Sequence, residues 1–140
     1  MVFVEITDKP IHLDGVLRHL ELSPRVSEGC PEEPEVGAVV TFSGVVRATE
    51  GPRTISHLDY EHYEGMARAE AEKLAVRACE HWKLGRVAIV HRVGAVPVGD
   101  ASVVVAVGAG HRAEAFEAAR FLIDELKAMV PIWKHAPEES

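Results

Sequence analysis

Val103-Val104-Val105-Ala106-Val107, then Gly108-Ala109-Gly110-His111-Arg112, then an amphipathic run to Met129 and Pro131-Ile132-Trp133-Lys134: this stretch of the 140-residue chain decides its fold. The unbroken apolar run reads as a strand. Glycines then open a helix along which Ala115, Phe116, Ala119, Leu122, Ile123, Leu126 and Val130 recur at helical spacing. Lys127 falls in the last turn, where a cation suits the helix dipole, and Pro131 forces the chain out of the helix. The stretch therefore sets a histidine and an arginine near one end of a strand. It returns two lysines, Lys127 and Lys134, after the helix. Such groups suit holding an anion and moving protons.

Outward from this stretch, Val2–Ile6 reads as a first strand, and Leu13, Val16, Leu17 and Leu20 as a short amphipathic helix. Residues 23–35 hold Ser-Pro, Gly-Cys-Pro and Glu-Glu-Pro and are expected to form a mobile loop. Ala38–Val46 is the next strand, followed by a polar turn over Arg47 to Arg53. Ile55–Tyr63 is a third strand, with Leu58 and Tyr60 on one face and His57, Asp59, Glu61 and Tyr63 on the other. Met66 to Trp82 is a long helix with an alanine-rich apolar stripe, ended by Gly85. Strands over Val87–Val93 and Ala101–Val107 flank a turn at Pro97-Val98-Gly99-Asp100. The order β-α-β-β-α-β-β-α, closed by a short extended piece at Ile132–Trp133, predicts one α+β domain over residues 1–140. Its expected form is a two-layer sandwich, with helices on a mixed, mostly antiparallel sheet.

Composition narrows the function. Hydrophobic content of 47% and charged content of 26% are ordinary for a globular chain. No run is long and apolar enough to span a bilayer, and the N-terminus is unlike a signal peptide, so a cytoplasmic protein is expected. A net charge of −7, with no basic stripe, argues against nucleic acid as a partner. An acidic chain that binds a small anion must gather its few cations in one place, which makes their positions informative. Cys30 and Cys79 lack the spacing of a disulfide framework or a zinc site.

Gly108-Ala109-Gly110-His111-Arg112-Ala113 matches a dinucleotide fingerprint by letter, but no second parallel strand follows the helix. What survives is a helix start whose free N–H groups favour an anion. The alternative, in which the glycines only turn the chain and His111 and Arg112 are solvated, stays open here. Lys127 and Lys134 read either as surface lysines or as a pair that depress each other's proton affinity. Arg47 follows a strand, where ligand contacts are common. The eight histidines show no metal-ligand spacing, and His57, His62, His81 and His91 are taken as structural or surface groups.

The residues resemble one family along most of the chain, the large, catalytic subunit of molybdopterin synthase. The matching text is Gly37-Ala38-Val39-Val40-Thr41-Phe42-Ser43-Gly44-Val45-Val46-Arg47, Leu58-Asp59-Tyr60-Glu61-His62-Tyr63, Met66-Ala67 and Leu84-Gly85-Arg86-Val87. It continues with His91-Arg92-Val93-Gly94, Gly99-Asp100, His111-Arg112, Ala115-Phe116 and Pro131-Ile132-Trp133-Lys134. Many blocks in the right order, from Val36 to Lys134, are more specific than any single motif. The sequence departs from the family after Trp-Lys, where His135-Ala136 replaces a basic residue and Glu, and in its shorter tail.

The resemblance implies a hammerhead-type α+β fold and a sulfurtransferase of molybdenum cofactor biosynthesis. Such an enzyme places two sulfurs on cyclic pyranopterin monophosphate to make the molybdopterin dithiolene. The implied partner is a small ubiquitin-like subunit whose C-terminal Gly-Gly carries the sulfur as a thiocarboxylate. The implied assembly is a heterotetramer built on a homodimer of large subunits. No resident cofactor or metal is implied. Carried over by position, Lys127 and Lys134 match the catalytic lysines, and Arg47, His111 and Arg112 the residues that bind substrate anions. In the family both large subunits can contribute to one pocket, which leaves His111 and Arg112 open to serving the neighbour's site. A non-catalytic, anion-binding oligomeric regulatory module is the competing expectation.

Overall fold

A computed structural model describes residues 1–20, 36–63 and 65–137. The loop expected over 23–35, with Cys30, lies outside the described residues. The chain runs β1 (Val2–Thr7), α1 (Leu13–Arg18), β2 (Ala38–Val45), β3 (Thr49–Glu50), β4 (Arg53–Thr54), β5 (His57–His62), α2 (Met66–Trp82), β6 (Arg86–Arg92), β7 (Gly94–Pro97), β8 (Ala101–Ala109), α3 (Arg112–Met129) and β9 (Ile132–His135).

Four strands form the main sheet in the order β1-β6-β8-β2. β1 and β6 are parallel, and β8 pairs antiparallel with both β6 and β2. The period of two sorts its side chains. Val87, Ile89, Val105, Val107 and Ala109 face one way and pack with α2 and α3. Ala88, Val90, Val104 and Ala106 face the other way, against Val16 and Leu20 in and just after α1. This double coverage explains why β6 and β8 read as nearly continuous apolar runs. Alanines 67, 71, 75 and 78 on α2 and 115, 118 and 119 on α3 are buried, and such small residues let a helix lie close to its neighbours. Ile89 and Leu122 are the largest wholly buried side chains. Burying a side chain of that size stabilises the fold by roughly 1.5–3 kcal/mol.

β7, β5 and β9 form a second, antiparallel sheet in the order β7-β5-β9, and β3 and β4 make a two-stranded hairpin. Val46, Ile55, Leu58 and Val96 are its small core. The predicted α+β sandwich, with helices on a mixed, mostly antiparallel sheet, is thus observed, with α1 as a patch on the opposite face.

Several local expectations need correction. Gly85 does not end α2. Lys83 takes the left-handed cap at φ 52°, and Gly85 is already hydrogen-bonded to Gly108 across the start of β6. Gly108 and Ala109 belong to β8 rather than to a loop. Gly108 pairs with both Val39 and Arg86, and a Cβ there would sit 3.2 Å from Val36, so close strand packing accounts for the glycine. Phe116 is 63% exposed, so it stands off the stripe on α3 where it was expected. Gly94–Pro97 forms a strand where none was expected, and its last residue, Pro97, had been assigned to the following turn.

Candidate functional site

A cavity of about 590 Å³ opens where the two sheets meet the C-terminal half of α3. β2 and the residues after it supply Phe42 to Arg47, β5 supplies Leu58 and Tyr60, β6 supplies His91, and α3 supplies Ile123, Leu126 and Lys127. β9 adds Ile132 and Lys134.

Local structure fixes each cation. Register shifts between Gly44 and Val45 at the end of β2, and such a bulge re-aims the chain that follows. A Cβ on Gly44 would lie 2.9 Å from Val103 Cγ1, so only glycine fits this wall. Beyond the bulge, Val46 N–H donates to the Asp100 carbonyl at 3.0 Å and Gly99 N–H to the Val46 carbonyl at 2.9 Å. Arg92, almost fully buried, donates to Asp100 Oδ2 at 2.9 Å and so anchors the turn on which Arg47's neighbour hangs. Lys127 is exposed one residue after the buried Leu126, which places it on the rim. Lys134 is set by the pairing of β9 with β5, opposite Tyr60. Its Nζ lies 3.3 Å from Glu50 Oε1 on β3. The lining thus carries three cations against one carboxylate, in a chain of net charge −7. That is the concentration of positive charge an anionic ligand requires.

Arg47, Lys127 and Lys134 come together; His111 and Arg112 do not join them. The latter two are exposed at the far end of α3 from Lys127, where His111 is the N-cap residue and makes no side-chain capping hydrogen bond. At 1.5 Å per residue, the helix puts about 22 Å between Arg112 and Lys127 along its axis.

Three titratable lining residues escaped the sequence reading: Glu50, Tyr60 and His91. Glu50 lies on β3, in a stretch that read as a polar turn, and left no signal. His91 left one, because it follows Val87 and Ile89 at the same alternation and must therefore face α3 rather than solvent. Its Nδ1 lies 2.7 Å from the Arg92 carbonyl oxygen, and its ring meets Tyr60 edge-on at 5.3 Å. Burial pushes its pKa below the usual histidine value; the Arg92 hydrogen bond partly opposes this, and His62 adds to it.

Residues 6–129 match the family model described as MoaE protein. The chain belongs to the MoaE family. Among its curated MoaE relatives, the molybdopterin synthase catalytic subunit of Arabidopsis thaliana is 46% identical over 101 residues, 72% of this chain and 51% of that protein. The molybdopterin synthase catalytic subunit of Bacillus subtilis is 38% identical over 131 residues, covering 93% of this chain and 76% of that one. The crystal structure of molybdopterin synthase from Staphylococcus aureus superposes with a TM-score of 0.82 at 31% identity, over 97% of this chain and 91% of that chain. The chain spans from about half to three quarters of the length of these two curated relatives.

Proposed function

We propose that this chain is the catalytic subunit of a molybdopterin synthase, a cytoplasmic sulfurtransferase acting on cyclic pyranopterin monophosphate. The observation that carries this reading is the meeting of Arg47, Lys127 and Lys134 at one cavity in a chain of the MoaE family. Arg47 holds the substrate phosphate through a charge-assisted contact. Lys127 serves the proton transfers as sulfur attacks. Lys134, oriented by Glu50, steadies the negative charge that develops or the carboxylate end of the sulfur donor. The donor is a small ubiquitin-like partner with a thiocarboxylated Gly-Gly tail, a segment without side chains that can enter a narrow cavity. His111 and Arg112, too far along α3 to reach this cavity, serve the pocket of a second copy in a homodimer. The complete assembly is a heterotetramer, and residues 1–140 act as one domain.

The test mixes the purified chain with thiocarboxylated partner and the pterin precursor and follows dithiolene formation. Product that depends on the partner supports the reading. A chain that binds the pterin phosphate yet forms no product is instead an anion-binding module.

A further inference from the structure

We infer that His91 is the proton acceptor of this cavity, taking the proton of the water that releases the sulfurated pterin from the donor. The inference rests on the proposed sulfur transfer and adds a residue to it. A carbonyl oxygen can only accept, so the 2.7 Å contact to Arg92 requires the proton on Nδ1. The neutral ring then carries its lone pair on Nε2. Among the described residues Nε2 has no hydrogen-bond partner, and His91 lines the cavity. The other ionisable groups facing the cavity suit the task less. Arg47, Lys127 and Lys134 are donors as cations, Tyr60 is a phenol, and Glu50 is held by Lys134. His62, from β5, disfavours a second positive charge on His91, and burial does so more strongly.

The chemistry needs such a base. When a thiocarboxylate sulfur bonds to a pterin side-chain carbon, replacing an oxygen substituent that leaves there, that sulfur stays joined to the donor's terminal carbonyl carbon as a thioester. Water must then attack this carbon. The new C–O bond replaces the C–S bond, the sulfur leaves as the pterin thiolate, and the water proton passes to His91 Nε2 and on to solvent. Lys127 and Lys134 remain free to act as proton donors and to hold anions.

The experiment is a single turnover of the complex of this chain with its thiocarboxylated partner, comparing wild type with His91→Gln by intact mass. Product release in the variant is expected to fall by about 10²–10⁴-fold, with the donor–pterin thioester accumulating. Release at the wild-type rate, or slow release without the adduct, overturns the inference. Should His91→Gln not fold, the wild-type pH profile decides. Release must decline as pH falls through the lowered pKa of His91, and a flat acid side overturns the assignment. Wild type without any partner-dependent product would instead remove the sulfur-transfer reading, and the inference with it.

Discussion

Lys127 emerges from α3 beside Leu126, and a lysine at such a place is ordinarily replaceable at little cost. If it moves a proton, Lys127→Ala lowers turnover by roughly 10²–10⁴ while the melting temperature barely shifts. Lys127→Arg does not restore the rate, because a guanidinium keeps its proton near neutral pH. A fully active Lys127→Arg enzyme would leave that side chain an electrostatic part only. Arg47→Ala is expected to weaken pterin phosphate binding by about 1.5–3 kcal/mol, with the fold intact; Arg112→Ala does the same only where a second copy completes the pocket. Unchanged affinity, read by calorimetry, removes the residue from the site. His91 links the cavity to stability. Its folded pKa lies below the unfolded value, so the unfolded chain binds the extra proton first. Stability is therefore full above the ordinary histidine pKa and declines as pH falls from there toward the folded pKa. The difference in melting temperature between wild type and His91→Gln should shrink across that interval. Arg47, Lys127 and Lys134, singled out in the sequence, meet at the cavity, whereas His111 and Arg112, singled out with them, do not. Glu50 and Tyr60 were not, because their roles arise from pairings between β9, β5 and the β3–β4 hairpin that no local pattern encodes.

At the level of elements, long apolar periodicity carried most of the information. α2, α3, β6 and β8 all stand where the spacing put them, since each buries a face or both faces. Ends were less legible. Gly85 had been expected to end the helix, yet Lys83 takes the left-handed cap, and Gly85 is already hydrogen-bonded to Gly108 at the start of β6. An L-residue in that conformation carries strain, and Lys83→Gly should raise stability by about 0.5–1 kcal/mol. A denaturant midpoint that falls instead would show that the lysine side chain contributes more than its backbone costs. β7 was hidden because Gly94 and Pro97 are turn residues by habit, yet the strand is short and among the described strands pairs only with β5, where a proline is tolerated.

For the molecule as a whole, β2 is an edge of the main sheet and exposes Val39, Phe42 and Val45 at 51%, 38% and 51%. An apolar edge of this kind is an open template for another strand unless something covers it. Sedimentation at micromolar concentration is expected to show a dimer, and Val39→Lys with Val45→Lys to shift it toward monomer. A wild-type monomer, with or without the small partner, would count against the assembly. The position of β9 has a consequence for synthesis. It is the last described strand, it pairs among the described strands only with β5, and it brings Ile132 and Lys134 to the cavity. A ribosome that stalled at Pro131 would release a chain whose four-stranded main sheet and both long helices are able to pack, but with one wall of the cavity missing. Of β9, the partly buried Ile132 packs against the main core, so such a product keeps most of that core covered. Its defect would be chemical rather than conformational, and it could still occupy a place in the assembly without turning over.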